Sequence, residues 1–402
     1  MVDLRDIEAA RERIRGHVLL TPCTPSEVFG EMFGGHAWFK FENLQRTGSF
    51  KERGALNRMM ALSPEERERG VIAASAGNHA QGVAYHARRL GIPATIVMPE
   101  RTPLVKVSAT KGYGARVLLH GSVYDEAMVE AHRIRDEEGL TLVHPFDDPA
   151  VIAGQGTIGL ELLEQVPGLD VVVVSVGGGG LIAGIAAAIK AIRPGVRIIG
   201  VESRALPAAL RSREAGELVT IPAAESIAEG IAVRRIGEHS FELIQEHVDE
   251  LLAVSEEEIA SAVLLLLERE KTVVEAACAT TVAAVVNGHI RGLEGKNVVM
   301  MLSGGNIDVS LMSRIIERGL IQDGRLANLV VRLRDRPGAL ATLTAVLAES
   351  GANVLSLDHR RGHGGVWLTE AEVSLTLETR GRAHVEELVA LLGARGFTVQ
   401  RD

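Results

Sequence analysis

Cations are too few and too scattered in this 402-residue chain to form a nucleic-acid surface. There are 43 Lys and Arg against 52 Asp and Glu, a formal net charge of -9, and no block of five or more basic residues. Nucleic acid and anionic membrane are therefore not expected partners. Cysteine is nearly absent: Cys23 and Cys278 lie far apart, without metal or redox spacing, and read as buried or idle thiols of a cytoplasmic protein. Long apolar runs are missing too. Those at 171–176 and 181–192 are broken by four glycines and Lys190, so neither is a membrane span. The first residues repeat at Leu4, Ile7, Ala10 and Ile14, the spacing of an amphipathic helix and not of a signal peptide.

What is present is a regular alternation. A strand at 37–42 leads into a helix at 52–62. Short apolar runs at 71–74, 94–98 and 116–119 then alternate with helical stretches at 79–90 and 124–138. A second series has strands at 171–176, 197–202 and 298–302 with helices at 182–192 and 255–269. Continuous Val-rich runs mark strands buried on both faces, so the reading is two α/β lobes with parallel sheets, the smaller at about residues 45–150. Past a polar linker at 321–325 the pattern becomes strand 327–334, helix 338–350, strands 353–359 and 371–377, helix 382–392 and strand 397–400. That is a ferredoxin-like βαββαβ module. The expected domains are 1–320 and 327–402.

The chemistry centres on Gly48-Ser49-Phe50-Lys51-Glu52-Arg53-Gly54. Ser49 and Glu52 have capping-box spacing, which puts Lys51 in the first turn of a helix, where the macrodipole disfavours a cation. Beside the Phe50 ring, such an amine loses its proton more easily, the state needed to condense with an aldehyde. A solvated first-turn lysine has the same local signature.

Gly177, Gly178, Gly179 and Gly180 join a buried strand to the helix that begins at Leu181, a setting for a phosphate on free amides. The same residues fit a dinucleotide fingerprint, Gly178-x-Gly180-x-x-Ala183, with Glu202 where a ribose-binding acid belongs, so a nicotinamide-dependent oxidoreductase is the rival reading. Two further turns bear on the choice. Ser75-Ala76-Gly77-Asn78-His79 opens a helix and suits a carboxylate. Ser303-Gly304-Gly305-Asn306 puts a hydroxyl at the carboxyl end of a strand. Each alone fits a capped helix or tight turn equally well. Together with Lys51 they provide an aldehyde trap, a phosphate cradle, a carboxylate cradle and one hydroxyl, the groups that pyridoxal phosphate carrying an amino acid requires.

The motifs then become familiar: Leu44-Gln45-Arg46-Thr47-Gly48-Ser49-Phe50-Lys51, Ser75 to Ala84, His144-Pro145-Phe146-Asp147-Asp148-Pro149, Gly154-Gln155-Gly156-Thr157, Gly177 to Gly184 and Ser303-Gly304-Gly305-Asn306. Over residues 4–320 the chain resembles the threonine dehydratase branch of the fold-type-II pyridoxal phosphate enzymes. Its tail resembles an ACT domain, through Asp335-Arg336-Pro337-Gly338 and Gly351-Ala352-Asn353-Val354.

The resemblance implies an ammonia-lyase that turns L-threonine, or L-serine, into the 2-oxo acid and ammonia, with pyridoxal 5'-phosphate as cofactor. It implies Lys51 as the lysine that holds the cofactor, Phe50 beside it, Asn78 on the pyridoxal hydroxyl, Gly177 to Gly180 and Leu181 on the phosphate, and Ser303 on the ring nitrogen. Ser75, Ala76, Gly77, Asn78 and His79 would take the substrate carboxylate. A serine racemase and a 3-hydroxyaspartate dehydratase share the scaffold, and an amino-acid sensor built on the tail is a reading from a different class.

Relatives that racemise look to place a Ser where this chain has Ala76. The chain also departs from its relatives at Ala228-Glu229-Gly230, where many read Ala-Asp-Gly, and at Glu275-Ala276-Ala277-Cys278-Ala279, where they read Glu-Gly-Ala-Gly-Ala. The first departure leaves Glu225 and Glu229 as a possible cation pair, for which an exposed helical pair is the plainer account. In the tail, Arg336, Pro337, Gly338 and Asn353 are the expected effector contacts at a subunit boundary, in a dimer or tetramer.

Overall fold

The computed structural model describes residues 1–361 and 369–401; residues 362–368 and 402 of the expected tail domain lie outside it. The chain divides into two compact units, Met1–Ile307 and Asp308–Asp402.

The first unit is built on two sheets. The larger has the strand order Cys23–Ser26, His36–Phe41, Asn297–Leu302, Val171–Ser175, Arg197–Ser203, Glu250–Val254, antiparallel only at its first pair. The smaller is fully parallel, in the order Arg116–Leu119, Ala94–Met98, Val71–Ala74, Thr141–Leu142. Val171–Ser175 is buried along its whole length, as a strand covered on both faces must be. All the expected strands of both series are present within a residue or two.

The helices not expected include Pro149–Gln165 and Ala276–Val286. Both are buried almost all round, so neither has the polar stripe that would betray a period of 3.6. Glycine explains the first. A Cβ on Gly154 would lie 2.7 Å from Gly54 Cα, and one on Gly156 2.9 Å from Gly184 O. Gly154 and Gly156 are thus contact points for neighbouring helices, not loop residues.

In the second unit, helix Val309–Gln322 precedes a four-stranded antiparallel sheet in the order Asn353–Arg361, Glu370–Glu378, Leu326–Arg334, Thr398–Arg401. Helices Ala339–Ser350 and Arg382–Ala394 share a core with it, made by Leu329, Val331, Leu343, Leu375 and Leu388 among others. The expected linker at 321–325 is instead a helix end and a packed turn. Gly324 has φ +67°, and a Cβ there would lie 2.5 Å from Arg382 N.

Candidate active site

Lys51 is the first residue of helix Lys51–Met60, but not by the expected cap. Phe50 holds the N-cap position without a side-chain bond, and the buried Ser49 Oγ has no hydrogen-bond partner among the described residues. Glu52 instead turns back to accept from Thr47 N and Thr47 Oγ1, both at 2.9 Å. Ser49 lies instead in a short backbone pairing. Residues 48–50 pair antiparallel with 303–305: Phe50 N donates to Ser303 O (3.1 Å), Gly305 N donates to Gly48 O (2.9 Å), and Ser49 faces Gly304. This backbone pairing brings the lysine and the hydroxyl at the end of strand Asn297–Leu302 into one site.

The Lys51 helix is anchored from behind by helix Pro149–Gln165. Gly54 N donates to Gln155 Oε1 (3.2 Å), which satisfies one of the amides that a helix start leaves open, and Asn57 Nδ2 donates to Ala150 O (2.7 Å). Beneath it lies a buried charge network. Arg53 bonds Glu42 (2.8 Å) and Glu161 (2.5 Å), while Lys40 bonds Glu161 (2.6 Å) and Thr21 O (2.8 Å). Two cations face two carboxylates, so the network is neutral overall.

Burial pushes the Lys51 amine down to about 8, and the Glu275 carboxylate partly opposes this. Lys51 Nζ donates to Pro145 O at 2.7 Å and stands 5.2 Å from the Phe50 ring centroid. That ring contact favours the ammonium, so desolvation and not the aromatic neighbour makes the amine easy to deprotonate.

Two histidines near Lys51 are held neutral by burial, His79 at about 3 and His144 at about 4. His79 Nε2 pairs with Val143 O (2.7 Å), while His144 Nδ1 accepts from Asp147 N (2.8 Å). Asn78 meets Glu275 and Asn306, two partners to which the sequence analysis assigned no role.

The glycine loop has no room for side chains. A Cβ on Gly178 would lie 2.1 Å from the Phe146 ring and one on Gly180 2.4 Å from Phe146 O, while Gly179 takes φ +94°. Helix Gly180–Ile192 begins there without a side-chain cap, and the buried Ser240 Oγ beside Gly179 has no partner among the described residues. Uncapped amides, an orphaned hydroxyl and a cradle that any Cβ would fill fit a phosphate. With the desolvated amine of Lys51, the residues present fit pyridoxal phosphate. Cys278, raised by burial, remains a thiol.

The rival dinucleotide reading loses its acid. Glu202 is only 1 % exposed and accepts from Ala209 N and Leu210 N, both at 2.8 Å, while burial raises it to about 7. Glu225 and Glu229 do not share a helix: Glu225 is exposed in an irregular segment, and Glu229 bonds Lys106 (2.8 Å). Among the described residues, no group of three or more His, Cys, Asp or Glu is placed to hold a metal.

In the second unit, Gly338 (φ 85°) opens helix Ala339–Ser350, and Arg336 and Pro337 form the exposed turn before it. Asn353 pairs with Glu378, whereas Arg334 pairs with Glu370, at the other end of the same strand. Eight residues of strand, about 26 Å, therefore separate Asn353 from the Arg336 turn within one chain.

Residues 14–304 match the family described as pyridoxal-phosphate dependent enzyme, and residues 327–397 match the ACT domain. The L-threonine ammonia-lyase of Thermotoga maritima is 49% identical over 400 residues, 100% of this chain and 99% of that one. The L-threonine ammonia-lyase of Geobacter sulfurreducens is 49% identical over 393 residues, 98% of each chain. Among solved structures, threonine deaminase isoform 2 of Solanum lycopersicum superposes with a TM-score of 0.74 at 38% identity, covering 78% of this chain and 86% of that one. Serine racemase of Dictyostelium discoideum superposes with a TM-score of 0.73 at 36% identity, covering 77% and 99%. With this site and this likeness over its whole length, the chain belongs to the pyridoxal-phosphate-dependent enzymes and carries a C-terminal ACT domain.

Proposed function

We propose that this protein is an L-threonine ammonia-lyase, converting threonine to 2-oxobutanoate and ammonia and accepting serine by the same route. The observation that carries the reading is the desolvated Lys51 amine, joined through the 48–50 and 303–305 backbone pairing to Ser303 and standing near Glu275. The names of the two relatives at 49% identity support it.

When bound, pyridoxal phosphate supplies a covalent hold on the substrate amine and an electron sink for the pair left at Cα. The chain does the rest. The glycine loop and the start of helix Gly180–Ile192 bind the phosphate with backbone amides. With Ser75 N bonded to Val97 O and Gly77 N to Ser75 Oγ, the amides of Ala76, Asn78 and His79 take the substrate carboxylate. Lys51 Nζ, poised at about 8, gives and takes the Cα proton near neutral pH, where a base of that strength works best. Ser303, uncharged, is the partner for the ring nitrogen.

Likeness to a serine racemase favours a second reading, but Ala76 offers no proton on its side of the site. In the tail, an amino acid such as isoleucine or valine binds where the Arg336–Pro337–Gly338 turn of one copy meets Asn353 of another. Two copies would bring together what one chain keeps apart. Oxo-acid release from threonine, serine and 3-hydroxyaspartate by the cofactor-loaded protein tests the reading, with threonine expected to be fastest. No oxo acid from any of the three would overturn it.

A further inference from the structure

The Asn78 amide is held from both ends. Its Nδ2 donates to both oxygens of Glu275 at 2.9 Å, and its Oδ1 accepts from Asn306 Nδ2 at 2.7 Å. Asn306 Nδ2 is itself anchored on Thr47 O (2.8 Å), two residues before Ser49 in the pairing that carries Lys51. A flipped Asn78 would set two NH2 groups against each other and an oxygen against a carboxylate, so the orientation is unique.

Glu275 is placed deliberately. It precedes helix Ala276–Val286 without capping it, and its own N–H donates to Gly304 O (3.0 Å). Glycines on two sides make room for its carboxylate: a Cβ on Gly304 would lie 2.5 Å from Glu275 Oε1, and one on Gly230 3.2 Å.

The charges facing Glu275 are Lys51, Lys106 and Glu229. Lys106 is drawn off by Glu229 at 2.8 Å, and the other titratable groups near Lys51, His79 and His144, are neutral. That leaves Lys51 as the cation whose charge Glu275 answers. Burial works on the two in opposite senses, raising the acid and lowering the amine; at Glu275 it is opposed first by the Asn78 hydrogen bond and then by the Lys51 charge, and at Lys51 by the Glu275 charge.

We propose that Glu275 is a positioning residue of this site, which locks the Asn78 amide in one orientation and supplies the counter-charge for the Lys51 ammonium. Its turnover arm rests on the lyase reading; its charge arm does not.

The test uses the full chain and its Glu275→Gln and Glu275→Asp variants. After removal of the cofactor, the pH dependence of amine-reagent labelling at Lys51 is read by peptide mass spectrometry from about pH 6 to about pH 10. Glu275→Gln removes the negative charge that favours the ammonium, so the labelling midpoint should move to lower pH. Glu275→Asp keeps the charge and should leave the midpoint close to that of the parent chain. With cofactor restored, both variants should lose about ten- to a hundredfold in kcat for threonine, the size of one hydrogen bond to a charged group, with a smaller change in KM. The shorter Asp loses the bidentate grip on Asn78.

An unmoved midpoint in Glu275→Gln, or an equal shift in Glu275→Asp, overturns the counter-charge role. Unchanged kcat in both overturns the orienting role. Should the parent chain release no oxo acid from threonine, the lyase reading falls, and the labelling result still decides this one. If Glu275→Gln fails to fold, the combination of preserved midpoint and lowered kcat in Glu275→Asp carries the same decision.

Discussion

Replacing Arg53 by Met removes the cation that Glu42 and Glu161 share and keeps most of the apolar stem. Arg53 and Glu42 are both fully buried, so the carboxylates left behind cannot turn to water. Glu161 retains Lys40 at 2.6 Å, but Glu42 loses its one direct ion pair and keeps hydrogen bonds from Thr21 and Gln45 and the more distant Lys40 charge. Removing one member of a buried pair costs about 3–5 kcal/mol. At about 2–4 °C per kcal/mol, Tm should fall by roughly 6–20 °C, which calorimetry of the full chain can read.

The sign of the pH dependence is also fixed. Burial pushes the Glu42 carboxyl up, and in the parent chain the Arg53 charge and hydrogen bond more than cancel this, leaving it below the ordinary carboxylate range. A depressed group contributes stability above its unfolded value and loses it as pH falls through the folded one. In the variant only the Lys40 charge and the Thr21 and Gln45 bonds oppose burial, so Glu42 takes up its proton at higher pH in the folded state than in the parent chain and the deficit shrinks as the solution is made more acid. The gap between the two proteins should therefore be wider at about pH 8 than at about pH 5. Adding Glu42→Gln to the variant should recover part of the loss. A deficit under about 1 kcal/mol that does not change with pH would refute the claim that Arg53 neutralises a buried carboxylate.

Lys51→Ala should leave a folded protein whose oxo-acid release falls by about a thousandfold or more, since Lys106, the other amine facing Glu275, is held by Glu229; near-normal release in a stopped assay would sink the assignment. Gly180→Ala puts a methyl 2.4 Å from Phe146 O, so the loop must shift, and cofactor affinity by fluorescence titration should drop at least about tenfold; unchanged affinity would argue against a phosphate in that cradle. Racemisation should be minor with Ala76 in place, and chiral chromatography showing D-serine formed as fast as pyruvate would contradict the lyase reading.

Strands were legible because burial on both faces leaves a mark that needs no partner. A Val-rich run such as 171–175 reads the same whether or not its neighbours are known. Thr141–Leu142, with two residues, is too short to carry any pattern, and Glu250–Val254 begins with an acid at the sheet edge. The buried charge network had a signal that went unread. Lys40 interrupts an aromatic strand, Glu42 follows its last residue and Glu161 interrupts an apolar helix, and such charges survive inside only if paired. Which of them pair with Arg53 is decided by contacts spanning 11 and 108 residues, beyond the reach of local spacing.

The failed capping box shows where sequence reading of a site reaches its limit. Ser49 and Glu52 have the right spacing and residue types, and an isolated peptide has no competing use for them. In the folded chain residues 48–50 pair with residues 303–305, which delivers Lys51 to the end of strand Asn297–Leu302. Glu52, freed from capping, secures Thr47, whose carbonyl anchors Asn306, which in turn fixes Asn78. A local rule is thus overridden by a pairing about 250 residues away, and the groups it displaces become the supports of the site. Lysine, glycine loop and terminal serine each carry a motif of their own and could be named in advance. Glu275 and Asn306 meet Asn78 across 197 and 228 residues of chain, so their places in the site exist only once the chain has closed on itself.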